Sequence, residues 1–117
     1  SDVLREDLGL KGTKGGCDAG DCGACTILIN GEQRYACLTA TGQLDGSDVR
    51  TVEGLSKNGE LTSLQYSFLE EGAAQCGICT PGMLMAAQSL LDQVPYPSED
   101  QVLEALSGVL CRCTGYT

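Results

Sequence analysis

Histidine is absent from this chain, and so is any long apolar run. Without histidine no Cys2His2 zinc site can form, so a side-chain metal site here falls to thiolates alone. Basic residues are scarce: seven Lys and Arg stand against sixteen Asp and Glu, for a formal charge of −9. A surface of that sign repels phosphate, which excludes nucleic acid as a natural partner. The charge is read first as a solubility device, with docking on a basic partner surface as the functional alternative. No stretch approaches the roughly 20 apolar residues of a membrane span. The first residues carry no basic-then-apolar leader, which removes one argument for an oxidising compartment. There is no internal repeat, no Ser–His–Asp set and no paired-carboxylate site. Gly12 to Gly16 lacks the strand-before, helix-after context of a nucleotide fingerprint.

Cysteine, by contrast, is abundant, with eight in 117 residues. A chain of this length makes one domain or two very small ones. Its core is marginal on apolar burial alone, so disulfides or metal are the available staples. The cysteines are bunched as Cys17-x4-Cys22-x2-Cys25, then Cys37, then Cys76-x2-Cys79 and Cys111-x-Cys113. Neighbours that close are poor disulfide partners, because short loops gain little from closure and bridge geometry is demanding. Thiolates in that pattern suit a metal centre held between loops.

The first set has the Cys-x4-Cys-x2-Cys…Cys spacing of a plant-type [2Fe–2S] site. Four glycines fall among the twelve residues Gly15 to Thr26. Gly20 and Gly23 are expected to take positive φ and bring backbone N–H groups to sulfur. Ala19 and Ala24 keep the loop narrow. A zinc knuckle or plain reduced thiols are the alternatives. Cys76-x2-Cys79 alone is compatible with zinc, a thioredoxin-like redox pair or iron–sulfur. With Cys111 and Cys113 added, the spacing favours iron–sulfur over zinc. Asp18 and Asp21 read as solvated carboxylates. Arg112 either offsets cluster charge or faces a partner. Met83 and Met85 read as core rather than ligands, with Met85 open to a surface place.

The local patterns predict a small sheet first and helices after. Val3, Leu4 and Leu8 form the buried stripe of a short helix capped by Ser1 or Asp2 and ended by Gly9. A flexible run, Lys11 to Gly16, leads into the cysteine loop. Thr26 to Ile29 is a strand, Asn30-Gly31 a hairpin turn, and Arg34 to Leu38 the return strand. A further short strand is expected at Asp48 to Val52. Leu61, Leu64, Phe68 and Leu69 keep helical spacing, giving a helix from Ser63 to Glu71 ended by Gly72. Thr80-Pro81 reads as N-cap and first helical residue, and Met83, Leu84, Ala87, Leu90, Leu91 and Val94 as that helix's apolar face. Its positive end points at the second cysteine set. Pro95 and Pro97 stop it. Ser98 to Gln101 is a capping box opening a third helix with Val102, Leu103 and Leu106 inward.

Three collinear segments carry a family resemblance: LREDLGLKGTKGGCDAGDCGACTILING, AQCGICTPGMLMAA and LCRCTGY. Together they resemble the small iron–sulfur subunit of the molybdenum hydroxylases, the xanthine dehydrogenase-like family that includes aldehyde oxidoreductases and molybdenum carbon monoxide dehydrogenases. The resemblance implies an α+β chain: an N-terminal β-grasp ferredoxin-like domain over 1–53, then a small helical-bundle [2Fe–2S] domain over 54–117. It implies that Cys17, Cys22, Cys25 and Cys37 hold one cluster, nearer flavin, and that Cys76, Cys79, Cys111 and Cys113 hold a second, nearer molybdenum. It places Gln75 and Cys113 against the pterin. The implied partners are a large molybdopterin-binding subunit and a medium FAD-binding subunit, with electrons passing from molybdenum through both clusters to FAD or another acceptor. No substrate chemistry is expected on this chain itself. Relatives begin with a β-hairpin before the first helix and end with a further helix, so both ends read as trimmed, and a β-grasp lacking that hairpin is expected to expose sheet edge and apolar surface. The expected location is cytoplasmic, with export to the periplasm as a folded complex the alternative.

Overall fold

The computed structural model describes residues 1–115; Tyr116 and Thr117, the end of the expected second domain and of the LCRCTGY segment, lie outside the described residues. Three strands and three α-helices follow in the order β1 (Thr26–Ile29), β2 (Glu32–Tyr35), β3 (Val49–Arg50), α1 (Ser63–Glu70), α2 (Thr80–Gln93) and α3 (Glu99–Leu106). The architecture is a small α+β fold in which helices cover an antiparallel sheet of order β2-β1-β3.

The hairpin forms where expected. Asn30 and Gly31 both take positive φ, +53° and +82°, the backbone of a two-residue turn whose twist matches its strands. Thr26 pairs with Tyr35 and Ile29 with Glu32. The return strand therefore begins and ends earlier than the sequence pattern predicts, and Cys37 sits in a 3-10 turn, Ala36–Leu38, beyond it. Asn30 ties β3 to the turn, donating its N–H to Asp48 O at 2.8 Å and accepting the Asp48 N–H at 2.9 Å.

β1 is buried on both faces, and its period-two alternation sorts the core. Leu28 faces α2 and joins Leu55, Leu84 and Met85, with Val52, Leu64 and Phe68 packed around them. Ile27 faces the other way and joins Cys25 and Ala36, with Leu4, Tyr35 and Val49 at the margin. Beside that second group lies an apolar groove of about 140 Å³ lined by Val3, Leu4, Leu8, Ile27, Leu44 and Val49 among others.

Several expectations are corrected. The first helix is a single wide π-type turn, Val3–Asp7, closed by the Leu8 N–H on Val3 O, with no side-chain cap from Asp2. Leu8 is exposed rather than buried, at the edge of the groove that it lines with Leu4. The run Lys11 to Gly16 is clamped, not free: Arg5 Nη1 donates to Lys11 O at 2.7 Å and Thr13 O at 2.8 Å, and Glu53 Oε2 accepts the Gly12 N–H at 2.6 Å. Thr80 is not a cap. Cys79 holds the N-cap position of α2, and Thr80 Oγ1 is buried without a hydrogen-bond partner. Met85 is core, as expected, and not on the surface: its exposure is 0 %. The buried residues of α2 are Gly82, Leu84, Met85, Ala86 and Ser89; of the predicted stripe Leu84 is fully buried, and Met83, Ala87, Leu90, Leu91 and Val94 are half-buried. Leu69 and Leu103 are exposed. Among the described residues no helix is long and apolar enough to cross a membrane.

Candidate metal centres

The first cysteine loop lies between the clamped run and β1. Its backbone turns inward toward sulfur. The N–H groups of Ala19, Asp21 and Cys22 all donate to Cys17 Sγ, at 3.3, 3.3 and 3.4 Å. Ala24 N–H donates to Cys22 Sγ at 3.5 Å, and Cys37 N–H to Cys25 Sγ at 3.4 Å. Gly20 and Gly23 take φ of +76° and +75°, as the loop's reversal of direction requires. Gly16 has a different reason: a Cβ there would stand 2.6 Å from Cys22 Sγ. Asp18 also takes a left-handed φ of +56°, and it and Asp21 are exposed.

These contacts polarise the thiols. The N–H groups of Cys22, Ala19 and Asp21 bring the Cys17 thiol down to about 7, which favours the thiolate form that binds metal. Burial pushes the Cys25 thiol up. A buried thiol of that kind becomes a thiolate when a metal takes the proton's place. Cys17 lies beside Cys22, and Cys25 beside Cys37.

The second set closes around one small pocket of about 80 Å³, lined by Cys76, Cys79, Cys111, Cys113, Gln75 and Thr114 among others. Gly77, at φ +87°, turns the chain between Cys76 and Cys79. Cys79 opens α2, so that helix directs its positive end at the set. Burial, with Cys111 beside it, pushes the Cys79 thiol up to about 11. The Ile78 N–H and then the Cys113 thiol lower Cys76. The Thr114 hydroxyl and N–H lower Cys111. Cys113 and Gln75 are exposed at the pocket's edge, and Arg112 is exposed.

All eight cysteines are free. Among the described residues no group of three candidate donors is placed to hold a single ion. Cys22 stands beside Cys17 and Cys37 beside Cys25, each through a backbone N–H on the other's sulfur, while Cys76, Cys79, Cys111 and Cys113 share one pocket. One zinc ion draws four donors to one point, whereas a two-iron core takes two thiolates at each iron. Four thiolates at each of two loop sites supply the donor number that either centre needs. Sequence reasoning named the eight thiols and the two loop glycines. It missed the contacts joining the two sets, Tyr35 to Gly108 and Leu110 to Cys22, because they link residues more than seventy positions apart and follow no spacing rule.

Residues 51–117 match the [2Fe-2S] binding domain family. The chain is 50% identical to the nicotinate dehydrogenase small FeS subunit of Eubacterium barkeri, over 98% of this chain and 73% of the relative. It is 52% identical to a probable xanthine dehydrogenase subunit of Bacillus subtilis, over 99% and 66%. Among solved structures, quinoline 2-oxidoreductase from Pseudomonas putida 86 superposes with a TM-score of 0.93 at 55% identity, covering 98% of this chain and 71% of that one. The chain thus spans roughly two thirds to three quarters of these relatives' own length. With a three-stranded sheet, eight free thiols and these likenesses over nearly its whole length, the chain belongs to the small iron–sulfur subunits of the molybdenum hydroxylase family.

Proposed function

We propose that this chain holds two [2Fe–2S] clusters and relays electrons from a molybdopterin centre on a partner chain to FAD or another acceptor. Cys17, Cys22, Cys25 and Cys37 hold the cluster nearer the acceptor. Cys76, Cys79, Cys111 and Cys113 hold the one nearer molybdenum. The observation that carries this reading is the gathering of eight free thiols at two loop sites, four at each: Cys17, Cys22, Cys25 and Cys37 around the inward-turned N–H groups of the first loop, and Cys76, Cys79, Cys111 and Cys113 around one small pocket. A cluster supplies a one-electron couple at nearly fixed geometry; the chain's own residues set its surroundings.

At the first site, three N–H groups on Cys17 Sγ offset negative charge on sulfur, which raises a reduction potential. At the second, the α2 N-terminus and the Thr114 hydroxyl act in the same sense. Gln75 and Cys113 sit exposed at the rim of that pocket, which supports their assignment as the face toward the pterin. The ferredoxin-like unit is assigned to 1–53 with a β-grasp sheet, and the helical unit to 54–117. A large molybdopterin-binding subunit and a medium FAD-binding subunit complete the complex, and substrate chemistry belongs to the partners.

The test is iron and acid-labile sulfide analysis of the purified complex, with low-temperature EPR after reduction. The formula of two [2Fe–2S] centres requires about four irons and about four sulfides per chain and two distinct signals. Cys113→Ser is expected to disturb the second signal and leave the first. A colourless chain containing zinc and no sulfide would sink the reading in favour of a zinc-stapled module. A functional monomer without partner chains would point instead to a stand-alone ferredoxin or redox sensor.

A further inference from the structure

We propose that Tyr35 is a positioning residue for electron exchange between the two cysteine sets. Its hydroxyl fixes the short strap that carries the second set onto the loop that carries the first. The proposal rests on the two-cluster reading above.

Strand β2 presents Gln33 and Tyr35 on one face, two residues apart. Both reach the end of α3. Gln33 Nε2 donates to Ala105 O at 3.4 Å, and the Tyr35 hydroxyl donates to Gly108 O at 2.7 Å. Carbonyls at a helix end lack intrahelical partners and accept such bonds readily. After Gly108 the strap runs through buried Val109 to Leu110, whose N–H donates to Cys22 O at 2.7 Å. Leu110 precedes Cys111, and Cys22 belongs to the first set. One hydrogen bond therefore joins the residue next to a second-set cysteine to the backbone of a first-set cysteine.

Strap and loop meet closely through backbone. A Cβ on Gly23 would run into the Gly108 carbonyl, and one on Gly82 would stand 2.6 Å from Gly23 O. Buried Val109 and the Leu110 N–H hold the far end of the strap; its near end, at Gly108, takes a tether from the sheet. Tyr35 supplies it. The same residue packs at the margin of the Cys25–Ile27–Ala36 group and lies opposite Thr26 in the ladder, so it is anchored in the first set's own strands.

The step involved is the transfer of one electron. The centre at the second set is oxidised by one electron and that at the first is reduced by one. Tyr35 keeps its proton throughout, shared with Gly108 O. The electrons come from substrate oxidation in the assembled dehydrogenase. Exchange across a hydrogen-bonded contact weakens when the contact fluctuates, and removing the phenol oxygen lets the strap move against the loop.

The experiment compares wild type with Tyr35→Phe in the assembled complex. It reads iron content, the EPR signal of each centre, the magnetic interaction between the two reduced centres, and the rate at which electrons redistribute after rapid reduction. Phe keeps the ring and its packing, so iron content and both signals are expected to survive. The interaction is expected to broaden and redistribution to slow severalfold. Two signals with unchanged interaction and rate overturn the role of Tyr35. Loss of either centre in Tyr35→Phe also overturns it, making Tyr35 a plain structural support. A wild-type complex with a single iron–sulfur signal overturns the two-cluster reading, and the proposal falls with it.

Discussion

Gly23 has no room for a methyl group. It holds φ at +75°, and an added Cβ would collide with the Gly108 carbonyl, which is backbone and has little freedom to retreat. Gly23→Ala therefore carries two costs, about 1–2 kcal/mol for the left-handed backbone and about 1–3 kcal/mol for overpacking. Gly31, at φ +82° with nothing within 4 Å of its Cβ position, carries the first cost alone. Urea denaturation of the two variants is expected to place Gly23→Ala below Gly31→Ala in stability; equal losses would show that the strap yields. Glu53 makes a second prediction at this scale. Burial raises its carboxyl, but the Gly12 N–H and the Thr51 hydroxyl outweigh that and leave it below the ordinary value. The unfolded chain therefore takes up the proton more readily, and Glu53's contribution is present above the ordinary carboxylate pKa and lost as pH falls through the depressed folded value. The melting temperature of wild type should exceed that of Glu53→Gln at neutral pH, and the gap should close in acid. A gap that widens in acid would reverse the sign. The glycine pattern beside the cysteines was legible in the sequence for Gly20 and Gly23, whereas the clamp of Glu53 on Gly12 spans 41 positions and left no local mark.

Helix caps separate what local pattern specifies from what it only suggests. Ser98 caps α3 as its sequence predicts, with Gln101 returning the bond to the Ser98 N–H at 2.8 Å. Thr62 and Gln65 form the same reciprocal box on α1, at the same spacing. Thr80 before Pro81 looks like an equally good cap, yet its hydroxyl caps nothing. The difference is that α2 starts inside a cysteine loop, where placing Cys79 beside Cys111 sets the entry angle of the chain. Ser98→Ala is expected to cost about 1 kcal/mol. Thr80→Val keeps the shape and removes an unsatisfied buried hydroxyl, so its effect should lie within about 0.5 kcal/mol of neutral or be stabilising. Thermal melts of the two variants check the contrast, and a loss at Thr80 as large as at Ser98 would restore it as a cap. Periodicity located all three helices but misplaced Leu69 and Leu103 on their inner faces. A short helix has few turns with which to fix its rotation, and the neighbour it packs on decides the rest.

On the scale of the whole molecule, the two halves share one core. Leu28 from the sheet half meets Leu84 and Met85 from the helical half, and Met85 is fully enclosed. Met85→Ala is expected to cost about 2–5 kcal/mol and to lower the unfolding midpoints of sheet and helices together, followed by far-UV dichroism alongside visible cluster absorbance. Unfolding of the helices alone, with the first centre's absorbance intact, would show the halves to be independent. Sequence alone determined the eight thiols, their division into two sets, the hairpin turn and the three helices, because ligand spacing, turn chemistry and amphipathic period are local properties of a chain. Only the tertiary structure decided that Cys37 stands beside Cys25, that α2 lies across β1 through Met85, and that Tyr35 and Leu110 bind the second set to the loop of the first. Those contacts join residues far apart in the chain, and their geometry follows from how the elements pack, which no local pattern encodes.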